Sequence, residues 1–386
     1  MIGIDAARER FGPAVDRFGE LLRVGDPLAD AVVEAYAGRP GGSGRAALQR
    51  ALETGIDSVD DPPEALRAFF AEVERVPAWV DREALTRGGE LLFRAGWFGG
   101  LALGTSLVLG YASPGGNKPL VASGRLTEQA ARRLVETSHF VQSVCRPGGL
   151  ARQAEGFAAA VKVRIVHAQV RRMLLRSAWD VETWGVPINQ HDMSGTAILF
   201  SYAVVDSLSK LGFRFDELEV DLYMQLWRYA NHLMGVDAEV LPTSAREAKR
   251  YSDLIQATEG PPDDDSRALS RALFSAAKSA DMSEAERQRA QRLAPLGQGI
   301  IRNMLGDALA DQLDVPKHAW RHAFPVLRGI VARLDTASSK SELVRASLVR
   351  QGHVYWAMVA QGNRTPIDFA PPEVLPGLER VLARAG

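Results

Sequence analysis

Cysteine is nearly absent from this chain: 386 residues hold one, Cys145. That excludes an internal disulfide framework and any zinc or iron–sulfur site built on cysteine ligands. An excess of charge of one sign is missing too. Lys and Arg total 46 against 47 Asp and Glu, a net charge of −1, so no global field draws the protein to nucleic acid or anionic membrane. No basic tract interleaved with aromatics occurs, and nucleic acid is not an expected partner. Long apolar runs are lacking as well. The longest, Trp97 to Tyr111, has 15 residues, short of the ~20 that span a bilayer, so no transmembrane segment is expected. The opening MIGIDAARERFGPAVDRFGELL lacks a basic stretch followed by an apolar run, and the expected location is cytoplasmic. No Gly-x-Ser-x-Gly elbow is present. The PGGSG at 40–44 has no Gly-Lys-Ser/Thr after it and no strand before it, which excludes a phosphate loop.

Strand alternation is scarce, and what remains is helical punctuation. Asp26, Asp81, Thr127, Asp192, Asp216 and Thr243 read as N-caps, and Ser283 with Glu286 as a capping box. Gly38, Gly212, Gly235 and Gly260 read as stops. The expected fold class is all-α, with on the order of fifteen helices. Asn117-Lys118-Pro119 reads as a loop, and Trp97 to Tyr111 as a buried helix rich in small residues. PPDDD at 261–265 is the clearest boundary. It divides the chain into an N-terminal extension (1–64), a core (65–260) and a C-terminal helical region (266–386) packing on that core.

The stretch VKVRIVHAQVRRMLL, Val161 to Leu175, carries the sharpest chemical signal. At about 100° per residue, Arg164, His167 and Arg171 fall in a sector roughly 60° wide, flanked by Val163, Leu174 and Leu175. Buried arginines need an anion, and imidazole is the commonest metal ligand. A haem would meet both needs; a hydrogen-bonded core histidine with arginines paired to Asp or Glu meets the pattern equally. On the preceding helix, Arg133 and Thr137 share a face, with Glu136 and Phe140 beside them. That face suits an oxygen-binding pocket or an exposed Arg133–Glu136 pair. Glu136-Thr137-Ser138-His139 is also half of a di-iron motif, but no second Glu-x-x-His exists in the sequence.

Taken in order and spacing, these segments resemble the haem-dependent oxygenase superfamily of latex clearing proteins and MpaB-type oxygenases. The resemblance rests on Arg164-x-x-His167-x-x-x-Arg171, Arg133-x-x-Glu136-Thr137, TWGVPINQHDMSGTAILFS, Pro77-Ala78-Trp79-Val80 and LWRYANHLMGV, and covers roughly residues 65 to 260. It implies a globin-like helical core with flanking helices, binding haem b. His167 would be the axial iron ligand, with Arg164 and Arg171 steadying the haem and Arg133 and Thr137 on the distal side steering O2. Glu136 would move protons, or pair with Lys118 or Arg133 and be structural. Glu136 stands where rubber oxygenases carry a lysine, and Gly116-Asn117-Lys118 where they carry a distal glutamate. The implied activity is therefore O2 or peroxide activation on a small apolar or amphipathic metabolite rather than rubber. A non-catalytic haem sensor or carrier, and a helical protein without cofactor, are the alternatives.

Overall fold

A computed structural model describes residues 1–39, 42–124, 130–275, 284–361 and 375–382. The predicted caps at Thr127 and Ser283 lie outside the described residues. Twenty-one α-helices occur among the described residues, more than expected, and no strand. In chain order they are α1 (Ile4–Phe11), α2 (Ala14–Leu21), α3 (Pro27–Tyr36), α4 (Ser43–Thr54), α5 (Glu64–Val73), α6 (Arg82–Ala95) and α7 (Trp97–Gly110). Then follow α8 (Pro114–Ala122), α9 (Ala130–Cys145), α10 (Glu155–Leu175), α11 (Val181–Trp184), α12 (Gln190–Phe200), α13 (Tyr202–Leu211) and α14 (Glu217–Leu233). The last are α15 (Ala245–Thr258), α16 (Asp264–Ser275), α17 (Glu284–Leu305), α18 (Asp307–Gln312), α19 (Phe324–Ser339), α20 (Glu342–Gln361) and α21 (Leu378–Leu382).

Several predicted caps act as expected. The Asp26 and Asp81 carboxylates accept first-turn backbone N–H groups, and Asp216 forms a full capping box with Glu219. Others shift. Asn189, not Asp192, caps α12, because its side chain accepts the Asp192 N–H and leaves the aspartate one turn inside the helix. Ser244, not Thr243, caps α15. The single helix expected from Asp192 to Leu211 breaks at Ser201, which has φ −102° and ψ −92°. Asn117-Lys118-Pro119 is not a loop but the middle of α8, where Ser113 caps and Pro114 supplies a first-turn proline.

α6 is the hub. It packs against α14, α20 and α9, while α7 packs against α13, α17 and α12. The two meet at a 98° bend made at Gly96, whose φ is +52°. Glycine allows the close crossings: a Cβ on Gly89 would stand 1.9 Å from the Cys145 carbonyl oxygen of α9, and one on Gly352 of α20 would stand 1.7 Å from the Phe93 oxygen of α6. One continuous core joins Phe69, Leu92, Val144, Leu174, Trp227, Met304 and Trp356, so residues before 64 and after 266 share it with the middle of the chain. No single described helix is long and apolar enough to cross a membrane.

The α6–α9 crossing yields a direct test. Gly89→Ala forces backbone apart rather than a flexible side-chain tip, so it should cost about 3 kcal/mol. Chemical denaturation should show a lower midpoint with unchanged slope; wild-type stability would refute the crossing.

Candidate active site

α10 is fixed first by charge. The Arg164 guanidinium forms a bidentate pair with Asp26, Nε to Oδ2 at 2.6 Å and Nη2 to Oδ1 at 3.0 Å, and lies 5.1 Å over the Phe69 ring. Arg171 is buried 3.3 Å from Asp30, yet its three guanidinium nitrogens make no hydrogen bond. The anions that the buried arginines call for thus come from the N-cap and first turn of α3, which no local pattern links to α10. Neither arginine lines the cavity described next.

That cavity, about 560 Å³, is walled by α7, α8, α9, α10, α12, α14 and α15, a size typical of small-molecule sites. It brings together His167 from α10 with Arg133, Glu136, Thr137 and Phe140 from α9. Residues of the predicted buried helix, including Leu107, Leu109 and Tyr111, form another part of the wall. The distal set and the histidine expected from sequence therefore share one chamber.

His167 makes no hydrogen bond. Its Nδ1 is sealed in the packing without a partner, which leaves Nε2 as the nitrogen meeting the cavity. Burial, with the Arg171 and Arg133 cations adding to it, pulls the imidazole down to about 3. The ring is therefore neutral and keeps a free lone pair at physiological pH. No cluster of three or more metal-ligating side chains exists among the described residues. A site with one imidazole suits an iron that brings its own equatorial ligands, and does not suit a bare ion.

Glu136 is buried and engaged by Arg132 at 3.0 Å, with Arg133 at 3.9 Å. The expected alternative pairing with Lys118 does not form. The Lys118 ammonium is buried between Asp263 (2.6 Å) and Asp265 (2.8 Å), 4.9 Å from the Trp184 ring centroid. The di-iron half-motif resolves differently again: His139 pairs with Glu155 at 3.0 Å.

Sequence reasoning missed the acids that the chamber does contain. Asp192 and Glu259 both line it. Burial drives each carboxyl up to about 7; the Glu259 charge raises Asp192 further, while Asn189 donates to Asp192 at 2.9 Å and pulls back slightly. Ser113 Oγ donates to Glu259. A Cβ at Gly116 would stand 3.0 Å from Ser113 Oγ and 3.7 Å from Asp192 Cγ, so the three groups converge around that glycine. Asn231, buried on the same wall, donates to the Trp227 carbonyl and leaves its own oxygen unpaired. Asp192 was legible only as a cap, and Glu259 carried no motif at all, because the two meet through tertiary packing of α12 against α15.

Comparison with known proteins shows what the chain is similar to. The model of the family described as ER-bound oxygenase mpaB/B'/Rubber oxygenase, catalytic domain, matches residues 91–335. The rubber oxygenase of Streptomyces sp. (strain K30) is 26% identical over 197 residues, 50% of this chain and 48% of that protein. The chain thus matches about half the length of this curated relative. The solved structure of latex clearing protein in the closed state shares the fold, with a TM-score of 0.62 at 22% identity over 94% of this chain and 90% of that one.

Two predictions follow from charge. Asp26→Asn leaves Arg164 buried without its anion and should cost about 3–5 kcal/mol, read by denaturation. Asp192 and Glu259 hold protons up to about 7 in the fold but only to about 4 when unfolded. The folded state therefore binds more protons between those values, and stability falls as pH rises through that window. His167 acts oppositely below its unfolded value of about 6.5, where only the unfolded chain takes the proton. Asp192→Asn should remove part of the alkaline loss and stabilise the protein at pH 8 by on the order of 2 kcal/mol. An unchanged pH–stability curve would show that Asp192 is ionised in the fold.

Proposed function

The chain belongs to the family of ER-bound oxygenase mpaB/B' and rubber oxygenase catalytic domains, and we propose that it is a haem b-dependent oxygenase acting on a small amphipathic molecule. The observation that carries this reading is the neutral, unpartnered imidazole of His167 at the wall of a largely apolar chamber. Haem, when bound, supplies the iron that activates dioxygen. His167 is the residue that would hold it, through the Nε2 that packing leaves free.

The remaining residues divide the work. Arg164 turns Nε and Nη2 to Asp26 and acts by fixing α10. Arg171, paired with Asp30 and outside the chamber lining, would steady a haem through the placement of α10 and His167 rather than by touching it. Arg133 and Thr137 bring a guanidinium and a hydroxyl to the chamber as donors for an oxygen molecule or substrate oxygen. Glu136, held by Arg132, orients this donor face. Asp192 and Glu259 are better placed than Glu136 to accept or return a proton, since each changes charge near neutral pH. The same carboxyls offer a polar end to a chamber otherwise suited to an apolar body, which favours an amphipathic substrate over a polyisoprene chain.

The ion pairs of Arg164 and Arg171 are what a helical protein without cofactor would also show. That reading gives no reason for an imidazole whose Nδ1 is sealed without a hydrogen bond, a cost to folding, while its ring lines the chamber.

Visible absorption of the purified protein separates the two. A Soret band that shifts on reduction with dithionite, and that His167→Ala abolishes, is the expected result. A colourless protein that refuses added haemin would overturn the proposal, and full haem retention in His167→Ala would overturn the ligand. Arg133→Gln and Thr137→Val should keep the band and change the rate of reoxidation in air by about tenfold or more.

A further inference from the structure

The outer faces of α19 and α20 are apolar and uncovered among the described residues. Val326, Ile330 and Leu334 recur every fourth residue of α19, a stripe roughly 80° wide, and are 66%, 50% and 61% exposed. The opposite face of that helix is ordinary core, with Val331, Asp335 and Ser338 buried. Leu343, at the start of α20, is 84% exposed, and Val354 and Met358, four apart on the same helix, are exposed as well. Trp320 stands exposed just ahead of α19. Single exposed apolar residues are common on monomers, but repeated stripes on two consecutive, mutually packed helices mark a surface that meets something.

The charges here say what. Arg328, Arg333, Lys340 and Arg350 have no acidic partner among the described residues. Arg345 does, pairing with Glu219 at 2.8 Å. Of the two acids on these helices, Asp335 is buried and accepts the Arg214 N–H at 2.8 Å, leaving Glu342 alone at the surface. The hairpin thus carries four free cations against one exposed anion, although the whole chain is near neutral. A second copy of this chain would bring the same cations to the contact and set like charge against like. Arg333 stands beside the α19 stripe and Arg350 beside the α20 face at about 100° per residue, and an apolar stripe flanked by cations is the form of a helix lying in the headgroup region of an anionic bilayer.

We propose that the α19–α20 hairpin is a lipid-docking face that seats the protein on anionic bilayer surfaces. The inference is independent of the oxygenase reading, since it uses no cavity residue.

The test is co-sedimentation of the full chain with phosphatidylcholine vesicles and with vesicles of equal parts phosphatidylcholine and phosphatidylserine. Wild type should pellet with the mixed vesicles, far less with the neutral ones, and less in high salt. Ile330→Glu/Leu334→Glu and Arg333→Glu/Arg350→Glu should each reduce the bound fraction about tenfold or more. Both pairs are at the surface, so thermal melting should stay at wild-type values and separate lost docking from lost fold. Wild type that fails to pellet with either vesicle, or variants that pellet as wild type does, would overturn the proposal. So would a concentration-dependent dimer in solution that Ile330→Glu/Leu334→Glu dissolves, which would make the face an interface between copies.

Discussion

The paired charges Asp26–Arg164 and Asp30–Arg171 are what the rest of this structure depends on. They bind the start of α3 to the middle of α10, across 138 residues in the Arg164 pair. The node is crowded: a Cβ on Gly235 would stand 2.3 Å from Asp26 Oδ2 and 2.5 Å from Arg164 Nε, and one on Gly25 would stand 2.7 Å from Arg171 Nε. Gln190 ties the same two glycines by donating to both their carbonyl oxygens, at 3.0 and 2.8 Å. Four segments distant in sequence thus close on two guanidinium groups. Buried charge tolerates little misplacement, because an unpaired ion costs far more than the pair contributes. The node therefore specifies where α10 sits more than it stabilises the whole.

That specification reaches the chamber through His167, between the two arginines in sequence. Desolvation keeps the imidazole neutral, and the Arg171 cation presses the same way. A side chain needed as a lone-pair donor is thus protected from protonation by a charge the fold already uses. Asp26 opposes the effect only weakly, since Arg164 answers it directly. Fold and site chemistry share one set of residues here, and changing either arginine would alter both.

The legible part of the site was the part written in local spacing. Arg133, Glu136 and Thr137 sit on one face of α9, and the structure puts that face on the chamber beside His167. The all-α class was legible for the same reason, since caps and glycine stops are local chemistry. What escaped was long-range. The sequence required an anion for Arg164 and Arg171 but could not say that two aspartates of α3 would supply it. Asp192 looked like a cap because an aspartate before an apolar run usually is one; Asn189 took that role three residues earlier and freed Asp192 to face the cavity. Lys118 and Glu136 were a plausible pair by charge alone, until α16 presented Asp263 and Asp265 to the lysine.

Net charge misled in a related way. A total near zero removes the argument for a global field, yet says nothing about how charge is arranged. Here the acids are drawn inward or into pairs: Asp26, Asp335 and Asp265 are buried, and Glu136 and Glu219 are bound by arginines. Basic side chains, with long stems that keep their heads in water, are left over at the surface of α19 and α20. The two ends of this asymmetry have the same origin. Each carboxylate that holds an arginine cancels one cation and leaves no excess, but acids spent inside the fold, Asp192 and Glu259 in the chamber among them, are not at the surface to answer the cations of α19 and α20, and there those cations border an extended apolar surface.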